Sequence, residues 1–303
     1  MAVPSGPRTG PTGGSAARTD AAGGSAARTG EAGGVGRPQA RPGRLVLVVG
    51  TGTEVGKTWV SAALLRHLAT AGHAVAARKP AQSFDPADPP AGTDAAVLGA
   101  ATGDAPEAVC PPARWYPVAM APPMAADVLG RPPFTVADLA AELRWPDPPP
   151  AVGLVETAGG VRSPQADDGD AVALGALLRP DLVVLVADAG LGTINGVRLA
   201  VDALSGPIPA GPVPAGPVPG MPAPLVVVLN RFDPADDLHR RNRDWLAGRD
   251  GLPVVATPGE EDVLAGWALG PLGPAPGPPG APGPPSPSPG PAPPELPAEG
   301  GPA

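Results

Sequence analysis

The sequence predicts one α/β domain, built as a mostly parallel sheet with helices on both faces. Three observations predict it. Short apolar runs of strand length recur at 45–49, 73–77, 152–155, 182–187, 225–229 and 253–256, with segments of helical spacing between them. A glycine-rich turn at 50–58 joins the first run to the first helical segment. The 49 prolines and 43 glycines of the 303 residues cannot all lie inside helices and strands, and they crowd the two ends and one internal insert.

In chain order, residues 1–42 are Gly, Ala, Ser, Thr, Arg and Pro, with Gly-Gly-Ser-Ala-Ala-Arg-Thr at 13–19 and again at 23–29. Such a stretch has no periodic apolar face to bury and reads as a disordered tail. The strand at 45–49 leads into the turn, and 58–71 reads as a helix closed by Gly72. A strand at 73–77 ends in Arg78, Lys79 and Pro80. Asp94 opens a helix over 94–101, where a carboxylate also suits the helix dipole. Residues 104–134 are broken by proline, with a short helix at 124–129, and Thr135 caps a helix over 135–144. The strand at 152–155 ends in Glu156, before Thr157, Ala158, Gly159 and Gly160; the strand at 182–187 ends in Asp188. A helix is expected over 196–204. The insert at 206–224 repeats Gly-Pro-(Ile/Val)-Pro-Ala, a composition for extended polyproline structure. Asn230 ends the next strand, an Arg-rich helix spans 235–246, and the last strand runs into Thr257, Pro258 and Gly259. Residues 271–303 form a second disordered tail, which leaves 43–270 as the folded domain.

The totals exclude several functions. A net charge of −8 leaves no basic footprint for nucleic acid or an anionic membrane. No apolar run reaches the ~18 residues of a membrane span. The single cysteine, Cys110, excludes an internal disulfide framework and fits a reducing compartment. His67, His73 and His239 lack paired ligand spacing, and the five tryptophans are scattered.

The turn carries the chemistry. A glycine-rich loop between strand and helix aims backbone N–H groups and a helix N-terminus at one point, and here adds Lys57 and the Thr58 hydroxyl, a socket for a nucleoside triphosphate and its magnesium ion. Five residues separate Gly50 from Gly56, one more than the strict pattern. Only two of the 21 basic residues are lysine, Lys57 and Lys79. A position that keeps lysine in an arginine-biased chain points to a need for a compact ammonium. Glu156 and Asp188 both occupy the strand-end position of a second magnesium carboxylate; Glu156 is favoured because Gly159 and Gly160 let backbone approach a phosphate. Asp188 reads as an ordinary strand-end carboxylate.

Taken together and in order, the loop at 50–58, Lys79-Pro80, Asp94, the turn from Glu156 to Gly160 and the run Leu191-Gly192-Thr193-Ile194-Asn195 closely resemble the dethiobiotin synthetase family over about 43–260. The resemblance implies a homodimeric, cytoplasmic enzyme of the P-loop branch that converts 7,8-diaminopelargonate, carbon dioxide and MgATP into dethiobiotin, ADP and phosphate. It implies Lys79 and Lys57 as catalytic residues, and Thr58, Asp94 and Glu156 around Mg2+. Nucleotide contacts are implied for Glu54, Val55, Gly56, Lys57, Thr58 and Trp59, for Asp94, for Glu156, Thr157, Ala158 and Gly159, for Asn230 and Arg231, and for Thr257, Pro258 and Gly259. Thr53 and Ser83 are implied to meet the substrate, and Asn195 to reach its carboxylate across the dimer interface. Asn230 and the 257–259 turn are implied to face the adenine.

The chain departs from the family pattern at Thr157 and Phe84, where glycine is usual, and at Gly196, where a histidine often follows the Asn. A partitioning-type ATPase is the nearest alternative, but its signature lysine would stand at Gly52. A cobyrinate amidase-like ligase would need a further glutaminase domain. A degenerate nucleotide-binding scaffold is opposed by the intact Lys57, Thr58, Asp94 and Glu156.

Overall fold

The computed structural model describes residues 40–206 and 223–272. The expected tails and the proline-rich insert lie almost wholly outside the described residues. β1 (Arg44–Gly50) is an unbroken apolar run, and its alternate side chains enter two different cores. Val46 and Val48 face one core, with Leu64, Leu65 and Leu68 of α1 (Lys57–Thr70). Leu45, Leu47 and Val49 face the other. These five side chains are between 0% and 4% exposed. At roughly 2 kcal/mol each, they tie β1 into both cores at once.

Beyond α1, β2 (Val75–Arg78) lies at one sheet edge, and a short parallel pair, β3 (Gln82–Ser83) with β4 (Trp115–Tyr116), stands apart from it. Between them come α2 (Asp94–Thr102) and α3 (Pro106–Val109). Next follow α4 (Pro122–Val128), which has prolines in its first turn, and α5 (Val136–Glu142). Thr135 closes the start of α5 with a capping box to Asp138, as its position predicts. β5 (Val152–Glu156) pairs with both β1 and β2. Its Gly153 is required by packing, since a Cβ there would lie 2.7 Å from the Trp145 ring.

The short pair β3 and β4, the short α3 and three further features carry no helix or strand expectation in the sequence. The hairpin of β6 (Pro164–Ala166) and β7 (Gly169–Asp170) leads into α6 (Ala171–Leu178), and α9 (Glu261–Leu269) closes the described chain. Between these, β8 (Leu182–Asp188), α7 (Thr193–Ser205), β9 (Leu225–Asn230), α8 (Asp237–Asp244) and β10 (Val254–Thr257) follow the alternating pattern. Several boundaries differ from expectation by one to three residues, among them these two. α7 starts at Thr193 rather than at 196, because left-handed Gly192 ends the preceding loop and its carbonyl accepts from the Gly196 N–H. The Arg-rich helix stops at Asp244 and passes into a wider turn over Trp245–Arg249.

The main sheet has the order β10-β9-β8-β1-β5-β2, and every pairing in it is parallel. The chain leaves β1 toward β2 on one side and later returns to β8 on the other, so the order reverses at β1. A crevice outside the carboxyl end of that strand is where such sheets bind ligands. No described helix is long and apolar enough to cross a membrane.

Cys110 is fully buried in the α1/α2 core, and burial pushes its thiol up to about 12. A thiol with that value is almost wholly protonated at pH 8 and inert. Ellman's reagent at pH 8 is therefore expected to find no reactive thiol in native protein and one per chain in denaturant. Fast reaction in native protein would contradict the packing.

Candidate active site

The loop after β1 folds back on itself through two left-handed residues, Glu54 at φ 61° and Gly56 at φ 88°. Gly56 is held there by a neighbour as well as by its backbone. The Asn230 amide at the end of β9 donates to the Val55 carbonyl at 3.0 Å, and any Cβ at Gly56 would run into that amide. Lys57 opens α1, whose N-terminus carries no side-chain cap, so the first-turn N–H groups face the loop's hollow. The Lys57 ammonium turns back to the Gly52 carbonyl at 3.1 Å. Burial, and then the neighbouring Lys79 ammonium, lower its pKa to about 8, against the pull of Glu156 and Asp94.

Four side chains, from α1, α2, the end of β5 and the chain just past β2, meet beside the loop. The Thr58 hydroxyl lies 2.6 Å from Asp94 Oδ1 and 2.8 Å from Glu156 Oε1. Lys79, 2% exposed, sits on the same two carboxylates, 2.7 Å from Asp94 Oδ2 and 2.9 Å from Glu156 Oε1, and also donates to the Thr157 carbonyl at 3.2 Å. All three of its protons are thus engaged. Burial alone would lower its pKa, but Asp94 and Glu156 together carry it above the ordinary lysine value. Burial likewise acts to raise Asp94, and Lys79 with the Thr58 hydroxyl brings its carboxyl net below the usual range. Glu156 is wholly buried, and its second oxygen accepts from Ser61 at 2.7 Å.

Second neighbours fix these groups. Thr93 caps α2, while the Gln82 side chain accepts from the Ala95 N–H at 3.0 Å, which sets the helix start that carries Asp94. Gln165 grips the turn after β5 by both ends of its amide: Oε1 accepts from the Ala158 N–H at 2.9 Å and Nε2 donates to the Ala158 carbonyl at 2.8 Å. Ser163 accepts from the Gly160 N–H at 2.8 Å. The Thr157 hydroxyl points away from this turn, to the Val48 carbonyl of β1 at 3.2 Å.

A cavity of about 720 Å3 opens here. Of the residues singled out by sequence, Thr53, Glu54, Gly56, Lys57, Thr58, Lys79, Ser83, Asp94, Ala158, Gly159 and Arg231 line it. The Ser83 hydroxyl is buried without a hydrogen-bond partner among the described residues. Ala119, Met120, Ala121 and Pro122 add an apolar wall, and Ser163 a further hydroxyl, none of which the sequence pattern indicated. Glu156 and Thr157 lie behind the lining, fully buried. Arg231, at φ 56°, bridges the loop to β8, donating to the Glu54 carbonyl and to Asp188, each at 2.7 Å.

Other expected residues stand apart from the lining. Asn230 spends its amide on Val55 and accepts from the buried Thr257 hydroxyl at 3.3 Å, with Pro258 and Gly259 exposed beyond it. Trp59 is 44% exposed. Asn195 is exposed on the first turn of α7, and Gly196 leaves open space toward Thr51, where an added Cβ would make an ordinary 3.5 Å contact.

The donor set suits magnesium. Among the described residues no three His, Cys, Asp or Glu side chains are grouped to hold a metal. What converges is one hydroxyl and two carboxylates, all hard oxygens, and magnesium characteristically takes one or two carboxylates and completes its shell with water and phosphate.

The chain is also similar to known proteins. A family model described as an AAA domain matches residues 44–262. The ATP-dependent dethiobiotin synthetase of Haloferax mediterranei is 37% identical over 226 residues, covering 72% of this chain and 88% of the relative. The corresponding protein of Caulobacter sp. is 37% identical, covering 73% and 90%, and that of Anaeromyxobacter dehalogenans 37% identical, covering 73% and 92%.

Removing one member of the buried ion group leaves uncompensated charge. Lys79→Met is therefore expected to cost about 3–5 kcal/mol of unfolding free energy, measured by urea denaturation without nucleotide. A loss below about 1 kcal/mol, within the range of an exposed pair, would mean that Lys79 is solvated in solution.

Proposed function

This chain belongs to the ATP-dependent dethiobiotin synthetase family, and from that premise we propose that it closes the ureido ring of dethiobiotin from 7,8-diaminopelargonate, carbon dioxide and ATP in biotin synthesis. The observation that carries the detailed reading is the meeting of the chain's only two lysines, Lys57 and Lys79, with Thr58, Asp94 and Glu156 at one cavity.

In this reading one amine of the substrate takes up carbon dioxide and releases a proton, giving a carbamate. A carbamate oxygen attacks the γ-phosphorus of ATP and ADP departs, leaving a carbamic-phosphoric anhydride. The second amine attacks the carbonyl carbon, the ring closes and phosphate leaves. An anionic nucleophile must approach an anionic phosphate, so fixed positive charge is the main thing the protein has to supply. Lys57 and the first-turn N–H groups of α1 hold the β- and γ-phosphates. Lys79 trades one of its three partners for the carbamate and the transferring phosphoryl group. Thr58, Asp94 and Glu156 would hold Mg2+, which offsets phosphate charge when bound. Glu54, Val55, Trp59, Thr157, Ala158, Gly159 and Arg231 surround the nucleotide, with Asn230, Thr257, Pro258 and Gly259 toward the adenine. Thr53 and Ser83 meet the diamine, and the apolar wall from Ala119 to Pro122 suits its hydrocarbon chain.

We further propose a cytoplasmic homodimer whose catalytic unit spans 43–270, with the tails at 1–42 and 271–303 and the 206–224 insert outside the chemistry. In this reading Asn195 serves the partner's site; it does not line its own chain's cavity, and Leu191 and Leu199 beside it are 92% and 62% exposed.

Incubation with MgATP, labelled bicarbonate and diaminopelargonate is expected to place label in a stable ureido product, one per ADP released; ATP hydrolysis without label capture would sink the proposal. Lys79→Arg is expected to keep nucleotide binding and lower turnover by two orders of magnitude or more, because a planar fork does not fit a point-charge site. Near-normal turnover would remove Lys79 from the chemistry.

A further inference from the structure

The Glu156 carboxylate raises a question that its own position does not answer. Rotation about the terminal bond of a glutamate is broad, and since a half-turn only exchanges two equivalent oxygens, what has to be set is the tilt of the carboxylate plane. Only one oxygen, Oε1, is turned to Thr58 and Lys79, at 2.8 and 2.9 Å. Neither contact fixes that orientation. The Thr58 hydroxyl has one proton for two carboxylates, since Asp94 Oδ1 is closer at 2.6 Å. Lys79 divides its protons among three acceptors.

Ser61 is different. It stands three residues after Thr58 and four after Lys57, so it shares their face of α1 one turn deeper. It is 0% exposed, and its hydroxyl donates to Glu156 Oε2 at 2.7 Å, its one hydrogen bond among the described residues. A serine inside a helix ordinarily points to solvent or bonds back to the carbonyl four residues earlier. This one does neither, and reaches across to another element.

Resting on the reading of Thr58, Asp94 and Glu156 as the magnesium side chains, we propose that Ser61 is the positioning residue of that site: it ties down Glu156 Oε2, so that Oε1 stays turned to Thr58 and Lys79. Partners that orient a metal-ligating side chain commonly carry 10–100-fold in metal affinity. Ser61 touches neither nucleotide nor substrate in this arrangement and acts only through Glu156. Its effect belongs to the metal and not to the phosphates.

Calorimetry with β,γ-methylene ATP separates the two. The affinity measured in excess Mg2+, divided by that measured in EDTA, gives the metal's share of binding. Ser61→Ala is expected to reduce this ratio about tenfold, with the EDTA affinity within twofold of wild type; Tm is expected to fall as well, because a buried carboxylate oxygen loses its donor. In a Glu156→Gln background the same substitution should add nothing, since coupled residues are not additive. If Ser61→Ala does not fold, Ser61→Cys keeps the size with a weaker donor, and a smaller fall in the ratio is expected. An unchanged ratio in the serine variant, equal losses with and without metal, or full additivity with Glu156→Gln would each overturn the proposal. If Glu156→Gln and Asp94→Asn also leave the ratio unchanged, the magnesium reading itself fails; if they lower it and Ser61→Ala does not, only the positioning role does.

Discussion

A lysine ammonium held almost without water is the constraint on which the rest of the site depends. Lys79 is 2% exposed between Asp94 and Glu156, and a charge so placed persists only with close partners on it. Meeting that demand brings together the chain just past β2, the first residue of α2 and the last of β5. The start of α2 then has to be exact in position, which accounts for the double hold on it by the Thr93 cap and the Gln82 side chain. The end of β5 has to turn at once, and the Gln165 amide fixes that turn by its backbone.

Parts of this were legible from sequence for definite reasons. The strands could be read because a sheet buried on both faces needs unbroken apolar runs. The loop could be read because phosphate chemistry restricts which residues stand there. Lys79 stood out because the chain otherwise uses arginine. α6 left no such trace: its sequence, Ala-Val-Ala-Leu-Gly-Ala-Leu-Leu, is apolar all round and has no period to detect. Its one local signal was Asp170, which caps it by accepting from the Val172 and Ala173 N–H groups.

The contacts that finish the site were hidden for another reason. Ser61, Ser163 and Gln165 act through partners set by the folded chain, and nothing beside them in the sequence names those partners. The helical spacing of Ser61 from Thr58 gave its direction but no purpose. Thr157 shows the converse. A residue bulkier than the family's usual glycine looks as if it should crowd the phosphate turn, yet its hydroxyl is turned to the Val48 carbonyl of β1.

The bond from Asn230 to the Val55 carbonyl links residues 175 apart in sequence. Contacts of such long separation close late in folding, because the entropy of the intervening chain must be surrendered first. The phosphate loop is among the earliest parts of the domain to be synthesised and among the last to acquire its final support. A nascent chain that ends before β9 carries every loop residue but lacks the amide that braces it. The loop is therefore fully braced only when β9 is in place.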